Sequence, residues 1–408
     1  MKIEKYSNFL SVVTVVNFAA MVLVTYGFGI YLFTALAPAM MQDIGFSYFE
    51  MGVITGTTQI GFLVFALCSG LLTAVFSVFT IMRFSLVVCA LSLGGLYLAN
   101  SVLAVGICLT LLAGCAASVW TPMAEATQSL LNAEHHGKAL GLMSSGTAYG
   151  VFANSIIINR YLEVQGWRTV WLIAFVSAVA LCVFTYFTLA KVQGRQAQQK
   201  TVSTKAGPRV ADIFRSLPIG MTTIVVCMMF LNGLACLPFQ TYLSSFLVSE
   251  HGYSLVESAS AWRIIGLVGM VSGFLMGWIG DRITIRGALM ITYLSLALST
   301  SLLLQNDVTA VSLFMLSTFF GLAFYAIFGL MPAFMSQQYS GPATSVVFAL
   351  GNIALGLGAL SGNYIGGWVK NSTGTFYWTY LIVLVATALS ACLCLFLKEQ
   401  IKVHNYGR

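Results

Sequence analysis

Long apolar runs recur through the whole chain and constrain this protein more than any other feature. A helix that crosses the ~30 Å hydrocarbon core of a bilayer needs about 20 apolar residues. Twelve such runs occur between polar breaks, at 9–37, 47–75, 80–99, 102–125, 138–160, 167–190, 219–248, 254–279, 287–304, 308–335, 343–369 and 375–397. The pattern predicts an all-α membrane protein with twelve transmembrane helices, and its gaps are too short for a soluble catalytic domain.

The composition excludes a water-soluble protein. Only 8% of the 408 residues are charged and 59% are hydrophobic, whereas soluble proteins contain about 25% charged residues. The nine cysteines lie inside apolar runs, without a C-x-x-C pair or a histidine at metal-ligand spacing. No pair of a nucleophile and a base occurs at a depth suited to catalysis. We therefore expect no metal, no cofactor and no enzymatic activity.

The basic residues predict the orientation in the membrane. If both termini are cytoplasmic, fifteen of the 19 Lys and Arg residues lie on the cytoplasmic side, and only Arg160, Arg168 and Lys370 lie outside. Cytoplasmic loops carry such an excess of basic residues. We predict cytoplasmic termini in a bacterial inner membrane. The basic cluster in the longest gap has no interleaved aromatic residues, so we expect lipid rather than nucleic acid beside it.

The second half of the sequence repeats the first. Residues 45–50 (GFSYFE) and 252–257 (GYSLVE) are 207 positions apart. At an offset of 210, three further matches are Pro122 with Pro332, Gly141 with Gly351, and Gly146 with Gly356. We predict two six-helix halves, 1–190 and 218–408, joined by a basic cytoplasmic linker at 191–217. In membrane transporters that are built from two such repeats, the substrate site lies between the repeats, near the bilayer midplane.

The loop after the eighth span carries a family signature. Residues 277–286 (GWIGDRITIR) resemble the G-x-x-x-D-R-x-x-x-R loop of the major facilitator superfamily, and residues 137–141 and 166–168 flank the fifth span with similar family patterns. The resemblance implies a secondary transporter whose two halves rock against each other. We expect Asp281, Arg282 and Arg286 to form a cytoplasmic latch that pairs in one conformation and separates in the other.

Arg263 is the charged residue that the sequence places deepest in the membrane. It is nine residues into the eighth span, which corresponds to about 13–14 Å at 1.5 Å per residue. No acidic residue lies at that depth in the other spans. Because a guanidinium binds a carboxylate through two parallel hydrogen bonds, we expect Arg263 to bind a small organic anion. A structural role, with backbone and amide partners, is the alternative.

An arginine in the eighth span and a glycine-rich aromatic stretch in the first, residues 26–31, resemble the monocarboxylate and oxalate/formate transporter families. One cation in the cavity favours a monocarboxylate. The same superfamily offers a second interpretation, an exporter of amphipathic compounds such as drugs or siderophores. The fifth span lacks the Gly-Pro signature of drug/proton antiporters, which disfavours drug efflux.

Polar and aromatic residues near the middle of other spans complete the predicted substrate site. They are Tyr26, Tyr31, Gln59, Tyr149, Asn154, Asn232, Gln240, Tyr325 and Asn352. Glu125 is the candidate for proton coupling in a symporter, and exchange for a counter-anion is the alternative. Glu50 and Glu257 are instead predicted to form capping boxes at helix starts. We expect the protein to act as a monomer.

Overall fold

The computed structural model is a bundle of long helices. It describes residues 2–73, 75–130, 141–196, 217–339 and 342–398, and none of these residues forms a strand. The first span consists of α1 (Lys2–Val22), a π-helix (Leu23–Tyr31) and α2 (Leu32–Ile44). The other helices are α3 (Tyr48–Leu72), α4 (Val78–Leu98), α5 (Val102–Leu130), α6 (Gly146–Gln196), α7 (Ile219–Glu250), α8 (Leu255–Arg282), α9 (Ile285–Leu303), α10 (Ala310–Gln338), α11 (Pro342–Thr373) and α12 (Tyr377–Cys394).

Within the described residues, 11 helices are long and apolar enough to cross a membrane. One of them, Gly141–Leu189, has 49 residues and would extend about 70 Å as a straight helix, more than twice the ~30 Å core. It is interrupted at Gly166, whose φ of 78° and ψ of 172° lie outside the helical region. The predicted fifth and sixth spans lie on either side of this glycine.

The ends of the predicted spans differ from the observed helices by several residues. The first span was predicted at 9–37, but its last helix continues to Ile44. Likewise α6 continues to Gln196, six residues into the predicted linker at 191–217. Residues 197–216 of that linker lie outside the described part of the chain.

Both predicted capping boxes are confirmed. At the start of α3, the Ser47 hydroxyl accepts from the Glu50 N–H (3.2 Å), and the Glu50 carboxylate accepts from the Ser47 N–H (2.7 Å). Ser254 and Glu257 form the same pair of bonds at the start of α8, at 3.2 and 2.8 Å. Each box provides hydrogen-bond acceptors for two backbone N–H groups that the helix itself leaves unpaired. The two boxes lie at positions that the sequence repeat also relates.

The repeat extends to helix packing inside each half. A Cβ on Gly27 of the first span would lie only 2.5 Å from the Cα of Gly150 on α6. In the second half, a Cβ on Gly233 of α7 would lie 2.0 Å from the carbonyl oxygen of Leu355 on α11. In each half the first and fifth spans therefore approach so closely that only glycine fits.

The halves meet mainly where α3 packs on α11 and where α6 packs on α8. The bundle has two ends, which we name by the charged residues found there. Lys370 closes α11 at the Lys370 end. Asp281 lies in the last turn of α8 at the opposite, Asp281 end.

Candidate functional site

A small cavity of about 30 Å³ lies between the two halves. Its wall is formed by the first span, α3 and α5 from one half and by α7 and α11 from the other. Seven polar side chains line it, together with apolar residues and Gly29: Thr34, Thr55, Thr58, Gln59, Gln240, Thr241 and Asn363. None of the lining residues is charged. One water molecule needs about 10–15 Å³ of cavity volume. The cavity therefore has room for only a few water molecules and is contracted in this conformation.

The polar residues of the cavity lie at one depth. Gln59 is eleven residues from the start of α3, Gln240 is ten from the end of α7, and Asn363 is ten from the end of α11. All three helix termini are at the Lys370 end. At 1.5 Å per residue, the side chains are about 15 Å from that end, which is the middle of a ~30 Å hydrocarbon core.

Four of the cavity side chains have no hydrogen-bond partner within the part of the chain that the structure describes. Gln59, Gln240, Thr241 and Asn363 bond through their side chains to no other described residue. Gln240 and Asn363 are only 2% and 1% exposed, and Asn363 Oδ1 is completely enclosed without a partner. An unpaired buried polar group costs about 1–3 kcal/mol. Such a cluster at the contact between two halves has the composition of a small-molecule site.

The cavity is closed toward the Lys370 end. The Tyr242 hydroxyl donates to the carbonyl oxygen of Asn363. A Cβ on Gly52 of α3 would lie 2.6 Å from that same oxygen and 3.2 Å from the Cα of Gly367 on α11. Above this contact the ring centroids of Tyr48 and Phe376 are 5.1 Å apart. Backbone and aromatic contacts between the halves therefore seal this end.

A buried ion pair supports that seal. Lys370 Nζ is 2.8 Å from Glu250 Oε1, and it also donates to the carbonyl oxygen of Gly374 at 2.8 Å. The ammonium group lies 5.3 Å from the ring centroid of Tyr48, which belongs to the other half. A second, more exposed pair joins Arg168 to Asp43 in the first half.

The Asp281 end shows no comparable seal on α8 among the described residues. Gly273 is exposed and Gly277 is half-buried, and a Cβ on either would meet no atom within 4 Å. Asp281 forms no ion pair with the described residues. Arg282 lies instead 4.3 Å from the ring of Trp278. The predicted latch is therefore unpaired at Asp281 here, and its closure in another conformation stays a prediction.

The third latch residue, Arg286, contacts a different element. Its guanidinium donates to the carbonyl oxygen of Leu397 at 3.3 Å. Leu397 follows the end of α12, so this bond connects the start of α9 to the chain beyond α12.

Arg263 lies on a different surface from the cavity. It shares an exposed face of α8 with Leu267, Phe274 and Trp278. When the Asn159 amide on α6 is oriented to donate to the Val256 carbonyl oxygen (3.1 Å), its oxygen accepts from Arg263. The arginine thus bridges the contact between α6 and α8.

This position also changes the expected depth of the charge. Val256 is in the first turn of α8, and both Val256 and Arg263 contact the side chain of Asn159. The Arg263 guanidinium therefore lies nearer the Lys370 end than the Cα of Arg263. Side chains on a helix lean toward its N-terminus, and long basic side chains extend to the membrane interface. A depth of 13–14 Å applies to the backbone only. In this conformation Arg263 does not reach the cavity, and its substrate role stays a prediction.

The other predicted residues divide into three groups. Gln59 and Gln240 line the cavity together, although they come from different halves. Asn154 and Asn232 have protein partners inside one half: Asn154 donates to the Gly27 carbonyl oxygen (2.7 Å), and Asn232 accepts from Tyr293 (2.8 Å). The third group is buried or half-buried and lies outside the cavity lining. Its members are Tyr26, Tyr31, Tyr149, Tyr325 and Asn352.

Packing contacts of the aromatic rings account for the positions of three of those tyrosines. Tyr26 packs edge-on against Phe62 and Trp120, with ring centroids 6.4 Å apart in each case. The ring of Tyr31 is 6.0 Å from that of Phe324 in the other half. Tyr325 packs against Gly269, where a Cβ would lie 2.2 Å from its ring. Glu125 lies in α5, and its side chain is outside the described part of the structure.

Five polar residues of the cavity were not predicted from the sequence: Thr34, Thr55, Thr58, Thr241 and Asn363. Thr58 and Thr241 are the sequence neighbours of Gln59 and Gln240. In the span that contains Asn363, the sequence pattern favoured Asn352 as the site residue instead. Counting residues from the end of each helix would have found Asn363, since it shares the depth of Gln240.

Comparison with known families agrees with this architecture. A family model described as Major Facilitator Superfamily matches residues 18–355. The chain belongs to this superfamily. Its transporter fold accounts for the repeated halves and for a polar cavity between them, and the resemblance inferred from residues 277–286 is confirmed.

One curated relative is the sialic acid transporter NanX of Escherichia coli (strain K12), which is 24% identical over 264 residues. The match covers 63% of this chain and 62% of that transporter. The chain therefore matches less than two thirds of that relative's length.

Solved structures show the same fold at low identity. The nucleoside transporter NupG (D323A mutant) superposes with a TM-score of 0.71 at 13% identity, covering 94% of this chain and 99% of that one. A bacterial homolog to the human lysosomal transporter Spinster, inward-facing and occupied, gives a TM-score of 0.69 at 13% identity and covers 96% of each chain.

Proposed function

We propose that this protein is a secondary active transporter that binds a small polar organic solute in the cavity between its halves. The observation that carries the proposal is the set of four unpaired side chains, Gln59, Gln240, Thr241 and Asn363, at one depth near the centre of the bundle. Partners for these groups have to come from a bound molecule or from water. A site at the repeat interface near the midplane suits a transporter of this superfamily.

The proposed mechanism is alternating access. In it the chain crosses the membrane twelve times, with Gly166 as the turn between the fifth and sixth crossings. Both termini are cytoplasmic, and the Lys370 end faces outward, as the distribution of basic residues indicates. The present conformation then opens toward the cytoplasm. A solute that bonds to Gln59 in one half and Gln240 in the other stabilises the approach of the halves, and their rocking exposes the site on the opposite side.

The charge of the solute separates two versions of this proposal. The uncharged lining of the cavity supports a neutral polar solute. The similarity to a transporter of sialic acid, together with the absence of an acidic partner for Arg263 among the described residues, supports a small organic anion such as a monocarboxylate. In the second version Arg263 reaches the solute in a conformation other than this one.

Flux through proteoliposomes tests the shared part of the proposal. Purified protein is reconstituted and assayed with radiolabelled uridine, glucose, sialic acid, lactate and pyruvate. We expect at least one solute to be transported, and Gln240→Leu to reduce that flux by at least tenfold, because it removes an amide from the cavity at nearly constant volume. Gln165→Leu, at an exposed glutamine near Gly166, is the matched control and leaves the flux unchanged. Equal flux in both variants contradicts the proposed site.

The anion version has its own test. If it holds, Arg263→Ala abolishes transport of a carboxylic acid, whereas Arg263→Lys retains part of it because the positive charge remains. Unchanged transport of the acid in both variants removes Arg263 from the substrate path.

A further inference from the structure

The hydrogen-bonding capacity of the cavity indicates which chemical class of solute it takes, given the binding site proposed above. Three of its threonine hydroxyls already donate within their own helices. Thr34 donates to the Tyr31 carbonyl oxygen (2.8 Å), Thr55 to that of Met51 (2.8 Å), and Thr58 to that of Thr55 (2.7 Å). A hydroxyl has one hydrogen to donate and two lone pairs. Toward a bound molecule, these three oxygens are therefore acceptors only.

The remaining polar groups offer both donors and acceptors. Gln59, Gln240 and Asn363 each offer two N–H donors and one carbonyl acceptor, and Thr241 offers one hydroxyl that can do both. Together with the oxygens of Thr34, Thr55 and Thr58, the wall therefore has acceptors to match its donors. Asn363 Oδ1 is enclosed and unpaired in this contracted conformation, and it becomes a further acceptor once the cavity widens around a solute. A molecule that fits this wall must bring hydrogen-bond donors of its own.

A carboxylate fits the same wall poorly. It is an acceptor at both oxygens, so it can accept from the amides but cannot donate to the oxygens of Thr34, Thr55 or Thr58. The lining contains no cation, and an uncompensated charge near the bilayer centre is costly. A sugar or nucleoside hydroxyl can instead donate to a threonine oxygen and accept from a glutamine amide at the same time.

We infer that the cavity selects a solute that presents several hydroxyl or N–H donors, and that Thr58 and Asn363 determine this specificity by accepting from it. Asn363 has a second connection, because its backbone carbonyl oxygen accepts from Tyr242 in the seal at the Lys370 end. A solute that bonds to the side chain of Asn363 therefore contacts a residue whose backbone takes part in the seal at the Lys370 end.

The test measures solute affinity by isothermal titration calorimetry on the purified full chain. The probes are uridine and glucose, which are rich in hydroxyls, and pyruvate, which has none. Thr58→Val removes the acceptor oxygen but keeps the side-chain shape, and Thr58→Ser keeps the oxygen. Thr57→Val is the matched control: Thr57 is exposed on the same helix and its hydroxyl bonds to the Val53 carbonyl oxygen in the same way.

We expect a hydroxylated probe to bind, with Thr58→Val weakening it about three- to tenfold, and with Thr58→Ser and Thr57→Val close to wild type. Asn363→Leu should weaken the same probe, as an independent check. Binding of pyruvate but not of the hydroxylated probes overturns the inference. So does a hydroxylated probe whose affinity falls in Gln240→Leu but not in Thr58→Val, although the proposed site then stands. If no probe binds or is transported, the proposed function fails as well.

Discussion

The buried ion pair between Lys370 and Glu250 allows the sharpest prediction about the stability of the closed end. The two side chains are 8% and 19% exposed, and their charged atoms are 2.8 Å apart. Removing one partner of a buried pair costs about 3–5 kcal/mol, because the other charge stays buried without compensation. Glu250 also accepts from the Thr375 hydroxyl (2.6 Å) and the Phe376 N–H (2.7 Å). These two bonds partly stabilise the carboxylate, so we expect Lys370→Met to cost about 3 kcal/mol.

A double-mutant cycle measures this interaction. The free energy of unfolding is determined in detergent for the wild type, Lys370→Met, Glu250→Gln and the double variant. The structure predicts a coupling energy of about 2–3 kcal/mol, because Glu250→Gln removes the charge that Lys370→Met would leave unpaired.

The pair between Arg168 and Asp43 is the matched control. Asp43 matches Glu250 at the offset of 207, but the side chains of this pair are 38% and 47% exposed. Exposed pairs contribute about 0–1 kcal/mol, so the cycle of Arg168→Met and Asp43→Asn should give less than half of the Lys370 value. Equal coupling energies in the two cycles would refute the argument from burial.

Three further predictions concern the same end of the bundle. Gly52→Ala places a Cβ 2.6 Å from a carbonyl oxygen of the facing half, so it should shift the protein toward opening at the Lys370 end. In a Thr241→Cys background, labelling of this cavity cysteine by an impermeant thiol reagent should therefore increase in Gly52→Ala, whereas Gly273→Ala, with open space around it, should leave the labelling unchanged. Ser155→Ala removes a 2.6 Å bond to the Ala259 carbonyl oxygen between the halves and should lower the free energy of unfolding by about 1 kcal/mol, measured by denaturation in detergent. Burial lowers the pKa of His251 from 6.5 against the opposing effect of nearby carboxylates. Its neutral form is favoured in the folded protein, so stability should fall as the pH drops below 6.5, and His251→Gln should flatten that dependence in a thermal-unfolding series.

The sequence was sufficient to predict an all-helical membrane protein of this superfamily, because its signals are local. Apolar runs, the Ser47–Glu50 box and the glycine positions each depend on nearby residues or on one helix, and the offset of 207 relates the two boxes by residue number alone. The superfamily followed from residues 277–286 for the same reason. The π-helix at Leu23–Tyr31 was not predicted, since an apolar run gives no sign of its hydrogen-bond register.

The site was harder to predict because it depends on which helix faces meet. Gln59 and Gln240 line the cavity, whereas Asn154 and Asn232, which look the same in sequence, have protein partners in the structure. For Arg263, the depth of the Cα was taken for the depth of the charge, and a flexible side chain of that length separates the two. Polarity and depth can be counted along one helix, whereas the direction of a side chain needs the neighbouring helices.

An experimental structure with a transported solute bound tests the central claim most directly. The account predicts density for the solute between the two halves, within hydrogen-bond distance of Gln59 on α3 and Gln240 on α7. Density for the solute only beside Arg263, at the contact between α6 and α8, with the cavity side chains still unpaired, would contradict it.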